Sequence, residues 1–598
     1  MNRITVNQGD SLAAKLTTAN TSYEMSGAID LSGGTLTVPP NCTLKFEEGT
    51  KITNGTIVLN NTVFEGAKHS IRTIVSGTQY ELDTDDFDLT DDDKADIMQS
   101  IVNTATVIQL HGKLEDVFEN ITIENDTEFT NSHVEKPKTF VGNGATIVND
   151  FTSEVAAIYI KTDDLIRITD INFEIAAAGW AIKKDTIQRQ EHTRLSFIID
   201  RCRFIRTAAS NQGDSGLIRL INSREGNITN CMFVSKIEYR GIGIDRSNAI
   251  NTNVIGCMFS DLKFGIYAKG EHINGNAPQG DENDKYTSYA CGLNIQSAVM
   301  LGCEYGIYIE GNDSFFLNNS MIDFCVYPLV IYSQDGANIT NNYFSSKAYQ
   351  QQGSFSYSHS AVITVRNNNT SGFAQEKNKR IIILGNTLYA HRTTVPCHGL
   401  DMDVYSTDCI IQSNTFGKFK EHGILLKKYD LGNDLGWTTE KLVIDNNRFH
   451  FMDSSSDAIG GYNYTGGDSV FITNNFVMET GNTKFVNAGT SYFGNYLSFG
   501  NHDYAAIRPD NGGLPEEVYN ASRINNSRMK LDLTMGANAT TLSIDNPMPG
   551  EQNLVVYIAN NLYPIKIVSI NSQNIVFGKS ITSTDASFTA IVERKYNM

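Results

Sequence analysis

Carboxylates alternate with a lysine at matching positions of three short strings, "GIGID" at 241, "GIYAK" at 265 and "GIYIE" at 306. Asp245, Lys269 and Glu310 each stand four residues past the opening glycine. On stacked neighbouring strands, Asp245 and Glu310 would lie about 9.6 Å apart by Cα. That is near the roughly 6.5 to 9.5 Å at which one carboxyl group protonates a glycosidic oxygen while the other activates water. Asp401 and Asp403, in "GLDMD" at 399, form a second pair on one face of one strand, at roughly 6 to 7 Å. Lys269 has a different chemistry open to it, removal of the proton alpha to a uronate carboxyl, with its charge offsetting the enediolate. The same acid, lysine, acid alternation also suits exposed cross-strand neighbours for stability alone. Asp401 and Asp403 equally read as solvated surface.

Aromatic residues in long insertions could serve the same ligand. Tyr349, Phe355 and Tyr357 lie in "KAYQQQGSFSYSHS" (347 to 360) and Trp437 in "KKYDLGNDLGWTTEK" (427 to 441). Loops on a rigid scaffold commonly carry function, and such rings stack on the C–H faces of sugars, or equally pack the loop or fill a subunit contact. Trp180 falls on an inward strand position and is expected in the core. The acid run "ELDTDDFDLTDDD" (81 to 93) invites calcium. It lacks the glycine and glutamate of an EF-hand, so it reads as a solvated loop and helix start, and no metal or cofactor is expected.

A repeat would hold these side chains in place. An apolar or β-branched residue, two variable positions, then Asn, Cys or a small residue, one variable position and a closing apolar residue recur along the chain. The closing residues are Phe173, Phe204, Phe233, Phe259, Met300, Met321, Phe344, Leu388, Phe416, Phe449 and Val477. Most intervals run from 21 to 33 residues, with outliers of 41 and 44. Strands held in register keep their spacing while turns grow. Two positions before the closing residue, Cys202, Cys231 and Cys257 give way to Asn319, Asn342, Asn386, Asn414, Asn447 and Asn475. Asparagine there suits a bend whose amides hydrogen-bond along the stack and whose backbone turns left-handed. Cysteine suits the same inward site as a small hydrophobe. The Gly-apolar-x-apolar strings supply a second strand column, with positions one and three after the glycine inward and two and four outward. Two columns with no helix between them predict a parallel β-solenoid.

Bulk properties exclude other classes. With 48 basic against 67 acidic residues the net charge is −19, which opposes contact with nucleic acid or anionic lipid. No run of eighteen apolar residues exists for membrane insertion, and the opening residues lack the apolar stretch and cleavage site of a secretory signal. Nine cysteines without a C-x-x-C pair argue against a disulfide framework or zinc cage. One segment, "DDDKADIMQSIVNTA" (91 to 105), reads as a helix with acids in its first turn.

With these strings in hand, the chain resembles the right-handed parallel β-helix proteins of the pectate-lyase-like superfamily, in the style of phage tailspikes and polysaccharide depolymerases. "LSGGTLTVPPNCTLKFEEGTKITNGTIVLNNTVFEG" (31 to 66) resembles their opening coils. "DDDKADIMQSIVNTATVIQLHGKLEDVFENITI" (91 to 123) resembles their helix-to-strand segment, and "TFVGNGATIVND" (139 to 150) the coil that follows. The likeness spans about residues 20 to 500 and implies an all-β fold. Its expected parts are N-terminal strands and capping coils (1–66), a helix-containing start of the solenoid (67–150), the β-helix core (151–505), a linker (506–525) and a small C-terminal β domain (526–598).

The resemblance implies three functional classes. One is a virion tailspike or tail fibre that binds a bacterial surface polysaccharide, with or without cleaving it. Another is a secreted polysaccharide lyase or glycoside hydrolase, and the third a non-catalytic structural or adhesive solenoid. The first carries with it a polysaccharide ligand, a homotrimer, tail or baseplate partners and a place on the virion. The missing secretion signal favours it over the second.

Overall fold

Isoleucine, valine and phenylalanine at alternate positions make strands that bury one face, and each coil is closed by three such strands separated by bends. The computed structural model describes residues 2–124, 136–150, 155–162, 164–176, 179–185, 195–207, 215–221, 223–270, 290–346, 361–367, 378–390, 397–403, 406–427, 440–450, 457–462, 470–477, 484–487, 496–499 and 502–503, and six strands between 528 and 594. The fold is all-β, a right-handed parallel β-helix. Two units divide the chain, Met1–Val326 with Gly372–Ala374, and Tyr327–Ser371 with Gln375–Met598.

Sequence periodicity predicts two strand columns; the structure has three. In the first unit one column runs through Asn172–Ile175, Arg203–Arg206, Met232–Ser235 and Met258–Ser260. A second runs through Gly179–Asp185, Gly216–Ile221, Ile242–Ser247, Phe264–Lys269 and Tyr305–Glu310. The third, Phe197–Asp200, Arg224–Thr229 and Ile250–Ile255, supplies the β-branched residues that open each repeat string. The repeat string therefore spans a corner, from the end of one strand to the start of the next.

Closing residues stack inside the coil. Phe173, Phe204, Phe233 and Phe259 are fully buried with ring centroids 4.9, 4.9 and 4.7 Å apart and planes within 6° of parallel. Each ring buries on the order of 150–250 Å² and gains a further stacking increment. Met321 departs from the expectation. Ile322, not Met321, pairs with Met300, so Met321 points outward and is 39% exposed. The corner position of that coil is accordingly Ser320, whose Oγ accepts from the Ala298 amide at 3.1 Å, and not Asn319.

In the second unit the corner asparagines form a continuous ladder. Asn342, Asn386 and Asn414 each donate Nδ2 to the Oδ1 of the next, at 3.0 Å, and Asn447 donates to Asn475 at 2.9 Å. The same Oδ1 atoms accept the backbone amide of the preceding rung. The left-handed residue is the one just before the ladder: Asn341, Ser413, Asn446 and Asn474 have φ of 56°, 56°, 52° and 52°. Asparagine, with a short polar side chain, tolerates that conformation better than most residues.

The helix expected over 91–105 is Lys94–Thr104, burying Ile97, Met98, Ile101 and Val102. From Arg528 the pairing turns antiparallel, with Ser587–Arg594 between Arg528–Thr534 and Leu554–Ile558, and Asn574–Gly578 between Thr541–Asp545 and Ile567–Ile570.

Candidate functional site

The second strand column carries side chains inward through Ile182, Ile218, Ile244, Ile266 and Ile307, all fully buried. The next residue on each strand points outward, so Tyr159, Lys183, Arg219, Asp245, Tyr267 and Tyr308 form one row. Two residues before the isoleucine, a second row holds Trp180, Ile242, Phe264 and Tyr305.

Both rows are aromatic at neighbouring rungs. Phe264 and Tyr305 stack at 4.7 Å and 17°, and Tyr267 and Tyr308 at 5.3 Å and 21°. Between the rows, Phe264 meets Tyr267 at 5.1 Å, and Tyr305 meets Tyr308 edge-on at 5.8 Å and 85°. Trp180 is fully buried, as expected, but by this outer face. It forms one buried cluster with Ala156 and Ile242, against which Tyr159, Phe264 and Tyr267 pack, and the Arg219 guanidinium lies 5.2 Å from its ring. Gly216 makes room: a Cβ there would lie 2.6 Å from the indole.

Charged groups border the rings. Lys161 and Lys183 lie 5.0 and 4.7 Å from the Tyr159 ring centre, and Lys263 lies 5.4 Å from that of Phe264. Arg219 Nε approaches Asp245 Oδ2 at 3.2 Å, and the Tyr308 hydroxyl donates to Glu310 at 3.5 Å. A face of this kind offers rings for C–H stacking and polar groups for hydroxyls, the combination used to hold sugars.

The expected ladder of Asp245, Lys269 and Glu310 is corrected in half. Lys269 and Glu310 are direct neighbours, but Asp245 pairs with Tyr267. The string "GIGID" holds two glycines, and Gly243, not Gly241, matches Gly265 across the rungs; a Cβ on Gly243 would meet the Gly265 carbonyl. Asp245 therefore sits two residues back, and its Cα lies about 12 Å from that of Glu310 rather than about 9.6 Å.

In the second unit, Asp401 and Asp403 share the outward face of His398–Asp403 but are fully buried, not solvated. Arg366, on the preceding rung, reaches Asp401 Oδ2 with Nη2 at 2.5 Å and Nε at 3.2 Å. Nearby on the same face, His398 and His422 stack at 5.1 Å and 7°. His398 Nε2 contacts Glu421 Oε2 at 2.7 Å, and this hydrogen bond holds the Glu421 carboxyl below the usual range. Tyr349, Phe355, Tyr357 and Trp437 lie outside the described residues, as does the 506–525 linker.

Sequence reasoning missed Tyr159, Phe264, Tyr267, Tyr305 and Tyr308. For the last four the signal was present: an aromatic directly before the glycine in "FGIYAK" and "YGIYIE", and a tyrosine two after it.

The family described as periplasmic copper-binding protein (NosD) matches residues 178–361, less than half of the chain. Three of the six thiols there are committed to backbone carbonyls. Cys202, Cys231 and Cys257 are buried in the coil and donate to backbone carbonyls, and no group of three ligating side chains occurs among the described residues. A comparison with curated protein sequences found no match.

Three solved structures illustrate the likenesses found. The A-module of mannuronan C-5 epimerase AlgE6 from Azotobacter vinelandii is 10% identical, covers 69% of this chain and 96% of its own, and has a TM-score of 0.36. A tailspike mutant of E. coli bacteriophage HK620 in complex with a pentasaccharide is 12% identical, covers 99% and 87%, and scores 0.37. The Streptococcus pneumoniae surface adhesin PfbA is 12% identical, covers 68% and 87%, and scores 0.33.

Proposed function

We propose that this chain is a polysaccharide-binding β-helix whose ligand lies along the outer face of the second strand column in the first unit. The observation that supports this is the pair of stacked outward aromatics, Phe264 with Tyr305 and Tyr267 with Tyr308, bordered by charged and hydroxyl groups. Rungs repeat at about 4.8 Å, so rings on successive rungs offer a linear polymer a periodic surface. In its finer form, the proposal is a tailspike-type receptor-binding protein, assembled as a homotrimer on a virion with tail or baseplate partners.

A second reading, a polysaccharide lyase or glycoside hydrolase, is favoured by what borders the rings: the Asp245 and Glu310 carboxyl groups and the Lys269 amine. In the second unit, Asp401 and Asp403 would be its alternative acids. Incubation with capsular polysaccharide separates the readings. Binding without new reducing ends or unsaturated product selects the non-cleaving tailspike or adhesin, and new ends select the enzyme. Absence of binding removes both. Light scattering tests the trimer, which requires three times the 66.1 kDa chain mass; a monomer removes it.

A further inference from the structure

We infer that the polysaccharide taken by this aromatic face is anionic, with Lys183 and Lys263 pairing its carboxylate or sulfate groups. This rests on the reading of the face as a polysaccharide site. The inference comes from matching each charge on the face to its partner. Lys161 pairs with Glu124 and Arg219 with Asp245. Asp185 hydrogen-bonds the Tyr159 hydroxyl, Glu310 accepts from Tyr308, and Lys269 stands directly beside Glu310.

Two cations remain. Lys183 and Lys263 make no ion pair among the described residues, and each is held beside a ring, Tyr159 and Phe264 respectively. A cation placed over an aromatic ring keeps part of its attraction for a ligand anion while the ring beside it stacks on the sugar. Glu304, on the rung next to Lys263, attracts it without forming an ion pair, and burial raises the Glu304 carboxyl.

Spacing supports the same ligand. Lys183 and Lys263 are three rungs apart, about 14 Å along the axis, with Trp180 on the first of those rungs, Phe264 on the last and Tyr159 one rung beyond Lys183. A polymer with an acid group every few sugars would meet both lysines. A neutral one would gain only hydrogen bonds from them, without the charge pairing. The net charge of −19 repels an acidic polymer from the molecule as a whole, so its capture must be carried locally.

The test uses the full chain and calorimetric titration with two matched pairs, polygalacturonate against its carboxyl-reduced form and dextran sulfate against dextran. The expected result is binding of the acidic member at least about tenfold tighter than its neutral counterpart. Lys183→Gln with Lys263→Gln should erase that difference with an unchanged melting temperature, and Lys→Arg at both positions should restore it. Equal binding of acidic and neutral members, or discrimination that survives the Gln pair, overturns the anionic preference. If Tyr267→Ala with Tyr308→Ala still abolishes binding in that case, the face remains a polysaccharide site. Acidic binding unaffected by the tyrosine variants sinks the site itself, and binding of none of the four polymers overturns the inference.

Discussion

Tyr267 and Tyr308 stand directly opposite each other on adjacent rungs, outside the coil, with ring centres 5.3 Å apart and planes 21° from parallel. Inside the coil such stacking fills the core. Outside, on a half-buried face, the pair presents ring surface to solvent at the repeat of the fold.

Tyr308→Ala removes one ring of that pair and the hydroxyl that reaches Glu310. The expected loss in polysaccharide affinity is about 0.5–1.5 kcal/mol, roughly two- to tenfold. Calorimetric titration of the variant checks it.

Asn414→Ala cuts the corner ladder at its middle. It takes the acceptor from the buried Asn386 amide and removes one hydrogen bond each from Asn386 Nδ2, which keeps the Ile339 carbonyl, from Asn447 Oδ1, which keeps the backbone amide of position 414, and from the Ile383 carbonyl. At about 1–3 kcal/mol for the buried orphaned amide, with smaller losses at the groups that keep a partner, the expected destabilisation is about 2–4 kcal/mol. Denaturant unfolding measures it, and a loss below about 1 kcal/mol would show that the ladder contributes little.

Asp401→Ala removes the Asp401 carboxylate from the largely buried Arg366 guanidinium. Breaking a buried pair from one side costs about 3–5 kcal/mol, whereas replacing both members by apolar groups is far milder. Asp401→Leu with Arg366→Met should therefore recover most of the stability lost in either single variant. A double-mutant cycle with no coupling would contradict a structural ion pair and leave Asp401 open to a chemical role.

The Asp86 carboxyl is pushed up to about 7, by burial first and then by the charges of Asp83 and Asp85. Its folded value lies above the unfolded value of about 3.9. The folded state thus retains a proton that the unfolded chain releases, so this contribution is fully present below pH of about 4 and lost as pH rises through about 7. Asp86→Asn should flatten that part of the profile, modestly because the group is partly solvated. Thermal melts from pH 4 to 8 compare the two; identical slopes would contradict the shift.

Much of the fold was legible because stacking imposes the same demand on every coil. The Asn column from Asn342 to Asn475 and the Phe column from Phe173 to Phe259 follow from one-per-rung spacing, and both are found. The register of the outward rows was less legible. "GIGID" permits two alignments and "SMID" permits either Met321 or Ile322 as the inward residue, since both glycines and both apolar residues fit. Only pairing with the neighbouring rung decides, and a two-residue slip moved Asp245 beside Tyr267. The burial of Asp401 and Asp403 was hidden for another reason. Strand alternation tells inward from outward, but not whether an outward group is covered or ion-paired.

The most direct measurement is a crystal structure of the full chain soaked or grown with a polysaccharide fragment that it binds. Sugar rings stacked on Tyr267 and Tyr308, with the chain running across the rungs toward Trp180, is the predicted result. A fragment bound elsewhere, with these tyrosines bare, would contradict it.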